Sequence, residues 1–139
     1  MQGGISRVLG ALVLIAAAAV PAGAHHSAAN YDQSKEVTLR GTVVEWIWQN
    51  PHCFLKFDAN DSSGATRRWT VEVQNPTTMT QHGWSRRMFA AGDMVTVSLH
   101  PERDGAPTGL ITKVVLPNGK TFDADPAGAA AAAAHPLTN

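Results

Sequence analysis

The chain has 139 residues, with 11 Lys and Arg against 11 Asp and Glu, and a single cysteine. A chain of this size can bury one hydrophobic core without internal disulfides, and one cysteine excludes a disulfide-stapled domain. Its formal net charge of zero provides no broad basic field to attract nucleic acid, so no nucleic-acid partner is expected.

The first 24 residues have the layout of a cleavable export signal. Arg7 is followed by an apolar run over residues 8–20, then by a proline and the small-residue stretch 22–24. This order is typical of signal peptides, and the run is shorter than the roughly 20 apolar residues that a membrane anchor needs. We therefore expect a periplasmic or secreted protein without a stable membrane anchor. An uncleaved N-terminal anchor is the alternative.

The mature chain is predicted to contain an arm, one domain and a tail. Residues 25–36 are polar and aperiodic, which predicts an extended N-terminal arm. Residues 37–125 form the domain. Residues 126–139 are rich in alanine, and an isolated alanine stretch this short does not sustain a helix, so a disordered tail is predicted.

Alternation of apolar and polar residues predicts a strand-rich domain. Gly41, inside the first strand, indicates a bulge or bend. In the third strand, alternation points Trp69 inward and Glu72 outward. Strands are predicted at residues 37–48, 53–57, 68–74, 94–99, 110–116 and 121–123, with a short helix at residues 77–81.

This order of elements predicts an all-β fold with one short helix, a small five- to six-stranded OB-like Greek-key barrel. Patterning alone leaves a small β-sandwich or an open roll as the alternative.

Several short motifs follow one another along the chain: His25-His26-Ser27, Val37-Thr38-Leu39 with Gly41-Thr42-Val43, Asn50-Pro51-His52, Gly83-Trp84, Gly92-Asp93 and Arg103-Asp104-Gly105 after Pro101. Together they resemble a family of small exported bacterial proteins known as a domain of unknown function. The resemblance extends over nearly all of residues 25–123. It implies export and a single domain, and it implies no reaction.

The histidines predict a transition-metal site, with copper as the metal. Cleavage after Ala24 would give His25 a free α-amine beside its own imidazole, a chelate that suits Cu(II) in the manner of a histidine brace. Cleavage two residues earlier would place His25 third in the chain, which is a different Cu(II) or Ni(II) chelate. His26 adds a nitrogen donor, and His52 is predicted to add another from the loop between the first two strands. Solvated histidines without a metal are the alternative.

A metal-free binding module is the second hypothesis, with a periplasmic protein or a small molecule as the partner. OB barrels bind through the loops after strands one and four. Trp46 and Trp48 either form an exposed aromatic platform or cap the core, and Glu72 is either a ligand or, as we favour, a solvated strand residue. The candidate contacts are Trp48, Asn50, His100, Arg103 and Asp104.

No catalytic motif is present, since the chain lacks a nucleophile elbow, an HExxH sequence and a phosphate-binding loop. We therefore predict no enzymatic activity, with an oxidative copper enzyme of the histidine-brace type as the remaining alternative. Cys53 is predicted to be a buried hydrophobic residue rather than a ligand, because neighbours on a strand face opposite ways. His82 is predicted to be structural and His135 incidental.

Overall fold

The structure is a computed structural model that describes residues 30–124. The predictions for the export signal, for His25 and His26, and for the tail lie outside the described residues. Within the described range, no helix is long and apolar enough to cross a membrane. The elements are β1 (Val37–Ile47), β2 (Cys53–Asn60), β3 (Thr66–Val73), α1 (Pro76–Gln81), β4 (Met94–Pro101), β5 (Thr108–Val115) and β6 (Thr121–Asp123).

The strands close into a barrel. Antiparallel pairing connects them in the order β3-β2-β1-β4-β5-β6, and a parallel pairing between residues 70–72 of β3 and 108–110 of β5 completes the circle. Five strands form the barrel, and β6 adds to β5. The predicted OB-like barrel is confirmed.

β1 is the central strand. Its first half pairs with β4 and its second half with β2, and a bulge between Val43 and Glu45 separates two registers of the β1–β2 ladder. The bend predicted at Gly41 is therefore located at this bulge, two residues further on. Gly41 is needed for a different reason, because a Cβ at this position would lie 2.7 Å from the Phe57 ring.

Alternate residues of the strands fill the barrel. α1 contributes to the same core: Asn75 caps its first turn by accepting a 3.0 Å hydrogen bond from the Thr78 amide, and Met79 is fully buried. Trp69 is half-buried and packs against the core, and its buried indole nitrogen has no hydrogen-bond partner among residues 30–124. The largest fully buried side chains are Trp84, Phe57, Leu55, Met79, Leu99, Val71, Val95, Val97, Val114 and Cys53.

Candidate functional site

The candidate site lies on the outer face of the barrel, where β2 begins and β3 ends. Phe54 pairs with Glu72 in the β2–β3 ladder, and His52 precedes Phe54 by two residues. His52 and Glu72 are therefore diagonal neighbours on one face of the sheet, within reach of each other's side chains. Cys53, which follows His52, faces the opposite way and is 0% exposed.

The His52 imidazole and the Glu72 carboxylate form a close pair. Nδ1 of His52 lies 3.2 Å from Oε1 of Glu72, and the two side chains are 29% and 9% exposed, respectively. A carboxylate buried to this degree needs donors to offset its lost hydration. Because an ionised carboxylate only accepts hydrogen bonds, this contact favours the proton on Nδ1 and leaves the lone pair on Nε2.

Tyr31 supplies Glu72 with a second donor. Its side chain is 6% exposed, and its hydroxyl donates a hydrogen bond to the Glu72 carboxylate. Burial, together with the negative charges of Glu72 and Glu102, raises the pKa of the Tyr31 phenol well above its ordinary value. Tyr31 therefore stays a neutral donor at physiological pH.

The backbone at Tyr31 is fixed to the end of β4. Tyr31 forms an antiparallel bridge with Glu102. The Arg103 amide donates to the Asn30 carbonyl at 3.1 Å, and the Asp32 amide donates to the last residue of β4 at 2.8 Å. In the described part of the predicted arm, the chain is thus bridged at Tyr31, and it turns at residues 33–34 before β1.

A cleft with a volume of about 180 Å³ adjoins this pair and is lined by Tyr31, Phe54, Thr70, Glu72, Glu102 and Thr108. The Thr108 hydroxyl donates a hydrogen bond to the Glu102 carboxylate. Two carboxylates thus face one tyrosine, each with a hydroxyl partner, which gives the cleft a lining rich in hydrogen-bond acceptors.

The predicted contacts at the end of β4 and in the loop that follows it have partners of their own. Nδ1 of His100 lies 2.8 Å from the Lys35 carbonyl, and Nη1 of Arg103 lies 3.9 Å from Oδ1 of Asp32. The Asp104 carboxylate accepts from a backbone amide of its own loop at 2.8 Å. Two of these contacts, those of His100 and Arg103, tie the end of β4 and the loop after it to the arm.

Trp46 and Trp48 belong to an aromatic cluster. Their ring centroids are 5.6 Å apart, and Trp46 also packs on Trp84 at 6.0 Å and on Phe89 at 5.0 Å. Both residues pack against the core, so core capping describes them better than an exposed platform. Asn50 is exposed in the loop between β1 and β2.

A family model describes the sequence over most of its length. The model of DUF6152, a family of unknown function, matches residues 12–113. The chain belongs to this family. The predicted resemblance to a family of unknown function is thereby confirmed. The match itself assigns no reaction.

No curated protein matches this DUF6152 chain. Among solved structures, the chain is similar to the mitochondrial single-stranded DNA binding protein Rim1 from S. cerevisiae, with a TM-score of 0.43 and 13% sequence identity. The alignment covers 60% of this chain and 94% of the Rim1 chain.

In the described part of the DUF6152 chain, His52 and Glu72 are a contacting pair of residue types that ligate metals in other proteins. Across residues 30–124, no group of three or more His, Cys, Asp or Glu side chains is arranged to hold a metal ion. A metal at His52 therefore requires donors from outside this range. His25 and His26 precede Tyr31 by six and five residues.

Sequence reasoning missed how the site is covered. Alternation correctly placed Glu72 on the outward face, but the favoured interpretation of a solvated residue is wrong, because Glu72 is 7% exposed and Tyr31 contacts it. Neither Tyr31 nor Glu102 was singled out. A signal was present, since Tyr31 is the only tyrosine of the chain and stands in an otherwise polar arm.

Proposed function

We propose that this protein is an exported metal-binding protein that holds Cu(II) through His25, His26 and His52. The observation that carries the proposal is the contact between His52 and the buried Glu72, beside the point where the arm joins the barrel. Residues 1–24 would be removed on export to the periplasm or the outside of the cell.

The orientation of His52 suits a metal ligand. Metal-binding histidines commonly donate their second ring nitrogen to a carboxylate, which fixes the ring and raises its basicity. In His52, Nδ1 faces Glu72 at 3.2 Å, so Nε2 is the nitrogen left for a metal. The ring is 29% exposed, which leaves it accessible to an incoming ion.

The anchored Tyr31 limits where the N-terminal histidines can go. Tyr31 and His52 both contact Glu72. The arm is therefore held close to the His52 imidazole, which is the proposed metal ligand of the barrel. His26 lies five positions before Tyr31, and a chain of five residue-to-residue steps spans at most about 18 Å. The effective concentration of both histidines at His52 is therefore high.

The donor set favours copper. An α-amine and imidazole nitrogens form a set that Cu(II) binds more tightly than other divalent ions of the first row do. The lone thiol, on Cys53, is buried on the core side of β2. Burial also raises its pKa, which disfavours the thiolate that would compete for the metal.

The test begins with the intact mass of the exported protein, because the mass fixes the mature N-terminus. The same sample is then titrated with Cu(II). We expect one tight equivalent, lost in a His25→Ala, His26→Ala double variant and strongly weakened in His52→Ala. His135→Ala in the tail is the matched control and should bind as the wild type does. Weak binding at many sites in the wild type would overturn the proposal.

A second candidate function is a metal-free binding module, favoured by a second cavity. This cavity has a volume of about 340 Å³ and includes Trp69, Pro101 and Arg103 in its lining. Beside its apolar walls, the cavity is lined by the cations Lys35 and Arg103 and by the carboxylates of Asp32, Asp61 and Glu102. Such a lining suits a small molecule with polar groups. Under this hypothesis, Arg103→Ala abolishes ligand or partner capture while His25→Ala does not, with Trp48, Asn50 and Asp104 as further contacts to vary.

A further inference from the structure

We propose that the open end of the barrel is a binding pocket for an uncharged small molecule with one or two apolar rings. This inference rests on the second candidate function and deepens it, because it names the class of ligand, and it is independent of copper binding. The pocket is the cavity of about 340 Å³ whose lining includes Trp69, Pro101 and Arg103.

The two ends of the barrel are closed to different degrees. α1 and the segment that follows it lie where β3 ends and β4 begins. They fill that end with Met79 and Trp84, which belong to the core and are 0% and 1% exposed. At the opposite end, β1 and β3 begin and β4 ends, and no helix of residues 30–124 lies there. The cavity occupies this open end.

Three side chains at the open end point into the barrel and line the cavity: Val37, Leu39 and Trp69. Their directly paired partners in the ladders are all 0% exposed, and these are Leu99, Val97 and Phe57, respectively. Directly paired residues lie on the same face of a sheet, yet the three lining residues are only partly buried. They therefore leave apolar surface uncovered inside the barrel mouth, and a ligand that covers it gains free energy.

The size and the walls of the cavity suit a flat molecule. Small-molecule sites commonly have volumes of about 300–1,000 Å³, and this cavity of about 340 Å³ lies near the lower limit. Trp69 contributes an aromatic wall, and contacts between aromatic rings stabilise a complex beyond the area that they bury. The cavity therefore favours a compact ligand with one or two rings over a long flexible chain.

The charges of the lining favour a ligand without net charge. Hydrogen bonds from Ser34 lower the pKa of Asp32, and hydrogen bonds from Ser63 lower the pKa of Asp61, so both carboxylates are ionised at neutral pH. They stand in the same lining as two cations, so a ligand of either sign would meet a group of like charge. Burying a charge against the apolar walls would also be costly. Hydroxyl or carbonyl groups on the ligand can instead form hydrogen bonds with the charged side chains of the lining, which are Asp32, Lys35, Asp61, Glu102 and Arg103.

The experiment titrates the purified protein with two fluorescent probes that share their rings. N-phenylnaphthylamine is uncharged, and anilinonaphthalene sulfonate adds a negative charge to the same ring system. We expect one N-phenylnaphthylamine per chain, bound about tenfold more tightly than the sulfonate, because the sulfonate would lie near carboxylates and lose hydration.

Two variants change the pocket, and each has a matched control outside it. Ala106→Phe places a ring in the cavity, and Leu39→Gln makes one wall polar. Both should weaken binding of N-phenylnaphthylamine by about tenfold. Ala90→Phe, at an exposed position before β4, and Met94→Gln, at the start of β4, should leave it unchanged. Met94 is a large hydrophobic residue that is 44% exposed, so it is the rival place for an apolar probe. Circular dichroism and urea unfolding verify that each variant is folded.

A measurement on the wild type does not depend on the folding of any variant. The indole N–H resonances in a nuclear magnetic resonance spectrum report on each tryptophan separately. N-phenylnaphthylamine should shift the Trp69 resonance and leave the Trp84 resonance in place, because Trp69 lines the cavity and Trp84 is buried at the end closed by α1.

Each outcome decides a different point. One N-phenylnaphthylamine per chain, weakened in both pocket variants but not in the controls, together with the Trp69 shift, supports the inference. Equal or tighter binding of the sulfonate overturns the uncharged class and leaves the second candidate function standing. Binding that is lost in Met94→Gln and leaves the Trp69 resonance unmoved overturns the assignment of the pocket. Absence of binding of both probes overturns the inference, while capture by Arg103→Ala and the copper titration still test the two candidate functions.

Discussion

Replacing Tyr31 with phenylalanine removes one hydroxyl from a buried contact and keeps the aromatic ring. The acceptor is the Glu72 carboxylate, and both side chains are less than a tenth exposed. A hydrogen bond to a charged group contributes about 1.5–3 kcal/mol to stability. We therefore expect Tyr31→Phe to lower the free energy of unfolding at neutral pH by about 2 kcal/mol. For a domain of about 100 residues, this corresponds to a fall in Tm of roughly 8–16 °C.

The same contact makes this difference depend on pH. Folding raises the pKa of Tyr31 above its value of about 10 in the unfolded chain. The contribution of the neutral phenol is therefore complete below pH 10 and is lost as the pH rises towards the pKa of the folded state. By about pH 11, the free energy of unfolding of the wild type should have fallen by about 1.4 kcal/mol. Tyr31→Phe should not show this decrease.

The assay uses the fact that Tyr31 is the only tyrosine, so the ultraviolet absorbance of tyrosinate reports this residue alone. Alkaline titration of the folded protein should show ionisation well above the pH at which the urea-unfolded chain ionises. Urea unfolding at neutral and at alkaline pH gives the free energies. Ionisation near pH 10 in the folded protein, together with equal stability of wild type and Tyr31→Phe, would refute the reasoning.

Two further variants test the fold. Gly109→Ala should destabilise the protein by about 1–3 kcal/mol in urea unfolding, because the new Cβ would lie 2.6 Å from Cδ1 of Leu99 and 2.8 Å from the His100 carbonyl oxygen; wild-type stability would show that the barrel tolerates a wider spacing between β4 and β5. Asn75→Ala should lower the free energy of unfolding by about 1 kcal/mol, because it removes the cap of α1. Asn75→Asp is the conservative control. An unchanged midpoint of urea unfolding in Asn75→Ala would mean that the cap is dispensable.

Much of the fold could be predicted because its signals are local. Alternation identified every strand, and the turn residues between β2 and β3 marked a hairpin. β2 runs further than predicted, to Asn60, because Asn60 pairs with Thr66. The polar residues after Phe57 obscured this extension. The turn itself is short, because the Asp61 carboxylate accepts hydrogen bonds from the amides of Ser63 and Ala65.

The candidate site was harder to predict because its decisive contacts are not local. Periodicity shows which face of a strand a residue occupies, and it placed Glu72 correctly on the outer face. Whether that face is covered depends on Tyr31, which lies 41 positions earlier in the chain and reaches Glu72 only when its backbone pairs with Glu102. His52 was identified from its motif, and its partner became evident only from the register of β2 and β3.

The parallel pairing that closes the barrel has a consequence for the order of maturation. It joins residues 70–72 to residues 108–110, and Glu72 is itself part of this short seam. Contacts between such distant segments form late in folding, since loop closure must come first. A chain that has not yet closed this seam would carry His52 and Glu72 without the strand arrangement that brings them together. The His52–Glu72 pair would therefore form only when the last seam of the barrel has closed.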